Sequence, residues 1–191
     1  MFSDRQQQII DESIKLIDTK GIQGFTIKNL SKKVGISEPG IYRHFESKFA
    51  ILSAILDSFK RDIFENQALS LNNANDPLEK LKTFANKIFE IFVHNPALIT
   101  VIFSEEIYMN EKQLSYRIKE IQTFNENLIE SLLIGLRRDK KLPDHVNIGA
   151  FILMFFGSIR LLAKKWKMSD YSFDIKTRGD ELLSSLLDII K

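Results

Sequence analysis

The sequence predicts an all-α chain: three N-terminal helices, two of them forming a helix-turn-helix, followed by a larger helical part. Three observations predict it. Apolar residues recur at the three- and four-residue spacing of a helix face along most of the 191 residues. No segment alternates apolar and polar residues as a half-buried strand would. Breaks at Lys20-Gly21, Gly35, Asn72 to Pro77, Asn95-Pro96 and Lys140 to Pro143 separate the periodic segments.

The elements follow in order. Ile9, Ile10, Ile14 and Ile17 form the stripe of a first helix, which ends at Lys20-Gly21 and packs over the next two. Thr26 is a good N-cap, because its hydroxyl can accept from an unpaired amide of the second helix. Ile27, Leu30 and Val34 give that helix one apolar face. Gly35 stands where a helix end favours a left-handed residue. Ser37 caps a third helix, Pro39 falls in its first turn, where a missing amide costs little, and Ile41 and Phe45 face inward. Ser47 caps a long fourth helix striped by Phe49, Leu52, Ile55, Leu56, Phe59 and Ile63. A fifth carries Leu78, Leu81, Phe84, Ile88, Ile91 and Phe92. A short helix from 96 to about 109 comes next, then helices over 111–139, 144–167 and 174–190.

The last two helices are apolar on more than one face. Phe151, Phe155, Ile159 and Trp166 lie on the first, and Leu183, Leu186, Leu187 and Ile190 on the second. A helix apolar around most of its circumference is buried on both sides. The simplest second partner is another copy of the chain, so these eight residues are the expected dimer interface, packed as a four-helix bundle across a two-fold axis.

Residues 25–48 carry the most specific signal. Two capped helices joined by a tight turn are the layout that places one helix in the DNA major groove. Across 26–48, Lys28, Lys32, Lys33, Arg43 and Lys48 outnumber Glu38 and Glu46, a local positive excess in a chain of net charge only +2. That sign suits phosphate neutralisation. The run Thr26, Leu30-Ser31, Val34-Gly35-Ile36-Ser37, Gly40-Ile41-Tyr42-Arg43-His44-Phe45, Ser47-Lys48 resembles the N-terminal signature of the tetracycline-repressor (TetR) family of bacterial transcriptional regulators. The clear match covers roughly residues 7–56; beyond it, only length and helical organisation agree.

The resemblance implies a helix-turn-helix DNA-binding domain over 1–47 and a helical effector-binding and dimerisation domain over 48–191. By position it implies that Thr26, Lys28 and Lys48 approach phosphates. Ser37, Pro39 and Gly40 would lie nearest the base edges, and Tyr42 and His44 would grip the backbone. Arg43 is the side chain best suited to read a guanine, through paired hydrogen bonds to O6 and N7. The partners expected are a double-stranded palindromic operator, a second copy of the chain and a small apolar effector whose binding releases the DNA. Fifteen phenylalanines fit core packing and, through the resemblance, an effector cavity. Phe59, Phe89, Phe103, Tyr108, Phe124 and Phe155 are wall candidates, with Asn86, Glu105 and Arg160 as further polar anchors. The competing reading is a DNA-binding dimer with no small-molecule ligand, controlled by a protein partner.

Other classes are disfavoured. There is no cysteine, and His44, His94 and His145 are scattered without metal-ligand spacing, so neither an enzyme nor a metal or cofactor is expected. The start, Met1 to Arg5, lacks the apolar stretch of a secretory signal, which favours the cytoplasm. The longest apolar run, from Ile148 to Ile159, is too short for a bilayer, and no membrane partner is expected.

Overall fold

The computed structural model describes residues 2–71, 76–104 and 112–189. Among them it places the helices α1 (Asp4–Gly24), α2 (Ile27–Val34), α3 (Glu38–Tyr42), α4 (Lys48–Leu71), α5 (Pro77–His94), α6 (Leu98–Ile102), α7 (Lys112–Arg138), α8 (Ile148–Met168) and α9 (Ile175–Asp188), and no strand. The all-α expectation holds. The short helix expected to reach about 109 ends at Ile102, where Phe103 closes it through bonds to Ile99 and Val101 carbonyls. The predicted break at Asn72 to Asn75 lies outside the described residues, as do Glu105, Tyr108 and Ile190.

The chain packs as two compact units. One comprises Met1–Arg61 and Ala97–Lys119, the other Asp62–Pro96 and Glu120–Lys191. This packing division differs from the expected division at 47/48. α6 and the first turns of α7 pack with the N-terminal helices: Thr100 of α6 donates a hydrogen bond to Asp18 of α1, and Arg117 of α7 pairs with Asp57 of α4 at 2.7 Å.

In the first unit, Ile9, Ile10, Ile14, Leu16 and Ile17 of α1 are buried, as are Phe25, Leu30, Val34, Ile41 and Phe45 from the helix-turn-helix. α1 packs on α2, and α2 on α3. The predicted end of the first helix is a real break: Gly21 sits at φ 67°, ψ 178°, backbone that only glycine adopts without strain.

In the second unit α9 packs on α5 and α8, and α5 also meets α8. Phe84, Phe151, Phe155 and Phe156 form an aromatic cluster, with Phe155 edge-on to Phe156 at 5.3 Å and Phe84 edge-on to Phe156 at 5.9 Å. The turn from α8 to α9 is pinned by Trp166, whose indole N–H donates to the Phe173 carbonyl at 2.8 Å and whose ring meets Tyr171.

A polar seam borders the α5–α9 contact. Asn86 donates to Asp180 at 2.9 Å, and Glu90 accepts from Lys87 at 2.6 Å and from Lys176 at 3.3 Å. The Lys87 hydrogen bond, more than the Lys176 one, holds the Glu90 carboxyl below its ordinary value, against a smaller opposing effect of burial. A lowered carboxylate pKa stabilises the fold above the unfolded-state value, and that stabilisation is lost as pH falls through the folded value. Glu90→Gln is therefore expected to lower the melting temperature slightly near neutral pH, with the difference vanishing in acid. A constant difference across the titration would contradict this. The effect stays small because the site is partly solvated.

Candidate nucleic-acid interface

The helix-turn-helix is built by its caps. Thr26 Oγ1 accepts from the Asn29 amide at 3.1 Å and Ser37 Oγ from the Gly40 amide at 3.2 Å, so each cap satisfies a donor that its helix leaves unpaired. Between them Gly35 adopts φ 77°, ψ 31°, and both its amide and that of Ile36 donate to the Ser31 carbonyl at 2.9 and 3.0 Å. Only a residue without Cβ takes this left-handed corner freely. Beyond α3, Ser47 Oγ caps α4 through the Ala50 amide at 3.1 Å.

The caps and inward apolar residues leave a polar face outside. Thr26, Lys28, Ser37, Pro39, Tyr42 and Arg43 are exposed, Tyr42 by 50%, while His44 and Lys48 are half-buried. Gly40 differs from its neighbours: it is buried, and a Cβ there would lie 3.3 Å from Ser37 Oγ and 3.4 Å from Ile36. Its smallness serves close packing of α3 on the turn. Lys48 is not an idle cation either. Its ammonium lies 5.1 Å from the Phe25 ring centre and donates to the Ile22 carbonyl at 3.4 Å, joining the start of α4 to the α1–α2 corner.

The expected dimer residues are placed differently. Phe151, Phe155, Ile159, Trp166, Leu183, Leu186 and Leu187 are all buried within a single chain, none more than 8% exposed. Little of their surface is left outside the single chain, 7% of Trp166 and 8% of Leu186 at most. What α8 leaves outside is Leu153 at 76%, Met154 at 44%, Leu161 at 56% and Met168 at 85%. Leu153, Leu161 and Met168 recur at the spacing of one helix face.

The effector-wall candidates divide between the units. Phe59 and Phe103 belong to the first, and Phe89, Phe124 and Phe155 to the second. Phe59, Phe89 and Phe155 are buried, Phe103 is half-buried, and Phe124 is 37% exposed. The composition gave no hint of Asn125, next to Phe124. It is 8% exposed, and its buried Oδ1 has no hydrogen-bond partner among the described residues. Asn86 already donates to Asp180 across the seam.

Among the described residues no three His, Cys, Asp or Glu side chains come together to hold a metal ion, and no helix is long and apolar enough to cross a membrane. The family description "Bacterial regulatory proteins, tetR family" matches residues 9–55, and "MAATS-type transcriptional repressor, C-terminal region" matches residues 76–191. The chain is similar to a fatty acid metabolism regulator protein of Bacillus subtilis, 22% identical over 185 residues that cover 96% of this chain and 94% of that one. It is also similar to the nucleoid occlusion factor SlmA of Mannheimia succiniciproducens, 27% identical over 158 residues, 80% of this chain and 72% of the other. The crystal structure of the regulator FadR from Bacillus subtilis in complex with stearoyl-CoA shares the fold, with a TM-score of 0.83 at 21% identity over 97% of this chain and 99% of that one.

Proposed function

Since this chain belongs to the TetR family of bacterial regulatory proteins, and is thus a DNA-binding transcriptional regulator rather than an enzyme, we propose that it is a repressor. In this reading it binds a palindromic operator as a homodimer and is released by an apolar effector. The observation that carries the proposal is the exposed face of Thr26, Lys28, Ser37, Pro39, Tyr42 and Arg43 on a capped helix-turn-helix. Thr26, Lys28, Tyr42, His44 and Lys48 take phosphates, Ser37 and Pro39 border the bases over the Gly40 backbone, and Arg43 reads a guanine.

Two copies are needed because one such unit touches too few base pairs. A two-fold dimer reads half-sites about 34–36 Å apart. The exposed α8 stripe of Leu153, Leu161 and Met168 is the surface that fits this role. For the effector we propose a long-chain fatty acyl thioester, supported by the similarity to a fatty acid metabolism regulator of Bacillus subtilis and by the stearoyl-CoA bound to FadR from that organism. Phe89, Phe124 and Phe155 would take the chain and Asn125 a polar atom of the ligand. A ligand that binds the DNA-free state better lowers operator affinity by that difference in affinity. α4, which begins at Lys48 and continues to Leu71, is the element that would transmit it.

Selection of duplexes from a random pool at physiological salt tests the reading. A common palindrome is expected, and its binding should weaken on adding stearoyl-CoA. Binding without a common sequence would overturn the regulator reading. A palindrome indifferent to stearoyl-CoA and shorter acyl thioesters would favour control by a protein partner. On the selected duplex, Arg43→Ala is expected to cost about 1–3 kcal/mol and relax the preference at one base pair. Lys28→Ala should weaken all duplexes alike and lower the salt slope by about one.

A further inference from the structure

One side-chain amide joins the start of α1 to the end of the reading helix. Ser3 and Gln6 form a capping box: Ser3 Oγ accepts from the Gln6 amide at 3.3 Å, and Gln6 Oε1 accepts from the Ser3 amide at 3.0 Å. The box uses the oxygen of the Gln6 side chain and leaves its nitrogen. That Nε2 donates to the His44 carbonyl at 3.3 Å. Turning the amide over would set a donor against the Ser3 N–H and an oxygen against the His44 carbonyl, so one orientation alone serves both ends.

His44 lies just beyond α3, where the last carbonyls of a helix have no partner along the chain. α3 spans only Glu38–Tyr42, too few residues to hold its own axis. Its end is closed by the Arg43 amide on the Pro39 carbonyl and by the His44 and Phe45 amides on the Ile41 carbonyl. Nothing in that set ties the end of α3 to another helix, and the Gln6 bond does. Tyr42, Arg43 and His44 occupy this same turn.

We propose that Gln6 is a positioning residue for DNA reading, because its amide bridges the α1 capping box to the carbonyl that follows Tyr42 and Arg43. It touches no base. It sets the angle at which Arg43 is presented and so contributes to selectivity more than to attraction. The inference rests on the DNA-reading role proposed above.

The test compares Gln6→Glu and Gln6→Met with the wild type in the full chain. The readout is the ratio of affinities for the selected duplex and for a scrambled one at fixed salt, together with melting temperature. The ratio is insensitive to the fraction of folded protein. Glu keeps the capping box, being favoured at that position, but loses the donor and sets a carboxylate against the His44 carbonyl. Met removes both bonds without adding charge. Both variants are expected to lower the ratio about three- to tenfold, the worth of one tertiary hydrogen bond, with the melting temperature of Gln6→Glu falling less than that of Gln6→Met because the capping box remains. An unchanged ratio in Gln6→Met would overturn the inference, as would equal losses on both duplexes in Gln6→Glu. If the wild type selects no common sequence, the regulator reading itself fails, a result distinct from either.

Discussion

Leu153→Glu combined with Leu161→Glu is expected to turn a dimer into folded monomers and to abolish operator binding at concentrations where the wild type is saturated. Both leucines are more than half exposed in the single chain, so their replacement leaves the protomer intact. In a two-fold interface each substitution occurs twice, and every buried, unpaired carboxylate costs several kcal/mol by desolvation. Losing the second half-site removes an intramolecular binding step and costs roughly a hundredfold to ten-thousandfold in affinity. Phe155→Ala should do the opposite. Its ring is fully buried between Phe84, Phe151 and Phe156, so truncation is expected to cost about 3–5 kcal/mol of stability while leaving the exposed Leu153 and Leu161 untouched. Light scattering and thermal unfolding separate the two. A dimeric double-glutamate variant would place the interface elsewhere on the chain.

Gly179→Val is expected to be among the most destabilising substitutions in the second unit. A Cβ at Gly179 would lie 2.3 Å from Cε2 and 2.6 Å from Cδ2 of Phe89, distances no folded protein sustains. Phe89 is fully buried, so its ring cannot swing out into solvent. Either α9 lifts from α5 or the Phe89 ring leaves its rotamer, and overpacking of this kind costs about 1–3 kcal/mol or more. Gly135, inside α7, is the control. A Cβ there meets nothing within 4 Å, so Gly135→Ala should be neutral or stabilise by up to about 1 kcal/mol through helix propensity. Thermal unfolding of both variants decides it. A neutral Gly179→Val would mean that α5 and α9 do not approach as closely as described.

The helix-turn-helix was legible because everything that makes it is local. Thr26 and Ser37 bond to amides three residues on, and Gly35 turns the chain at its own φ, so the order of residues carries the geometry. Some longer helices were legible for a similar reason: α5 starts at Pro77 and stops before Asn95, and α8 starts after its cap Asn147. Whether Phe155 faces the protomer or a second copy was not legible. Periodicity shows that α8 has two apolar faces and is silent on which of them α5 and α9 occupy. The wider, aromatic face went inward, leaving Leu153 and Leu161 outside.

By itself, then, the order of residues determined the all-α class, the breaks, the caps and the exposed Tyr42-Arg43 pair at the end of α3, because each depends on contacts within a few positions along the chain. Only the tertiary structure decided which face of α8 is core, why residue 179 is glycine, that Asn125 is buried with an unpaired oxygen, and that Gln6 reaches His44. Those facts depend on groups far apart in the chain, 38 positions for Gln6 and His44. Such pairs meet only once the helices have packed, and no local spacing encodes which of them will.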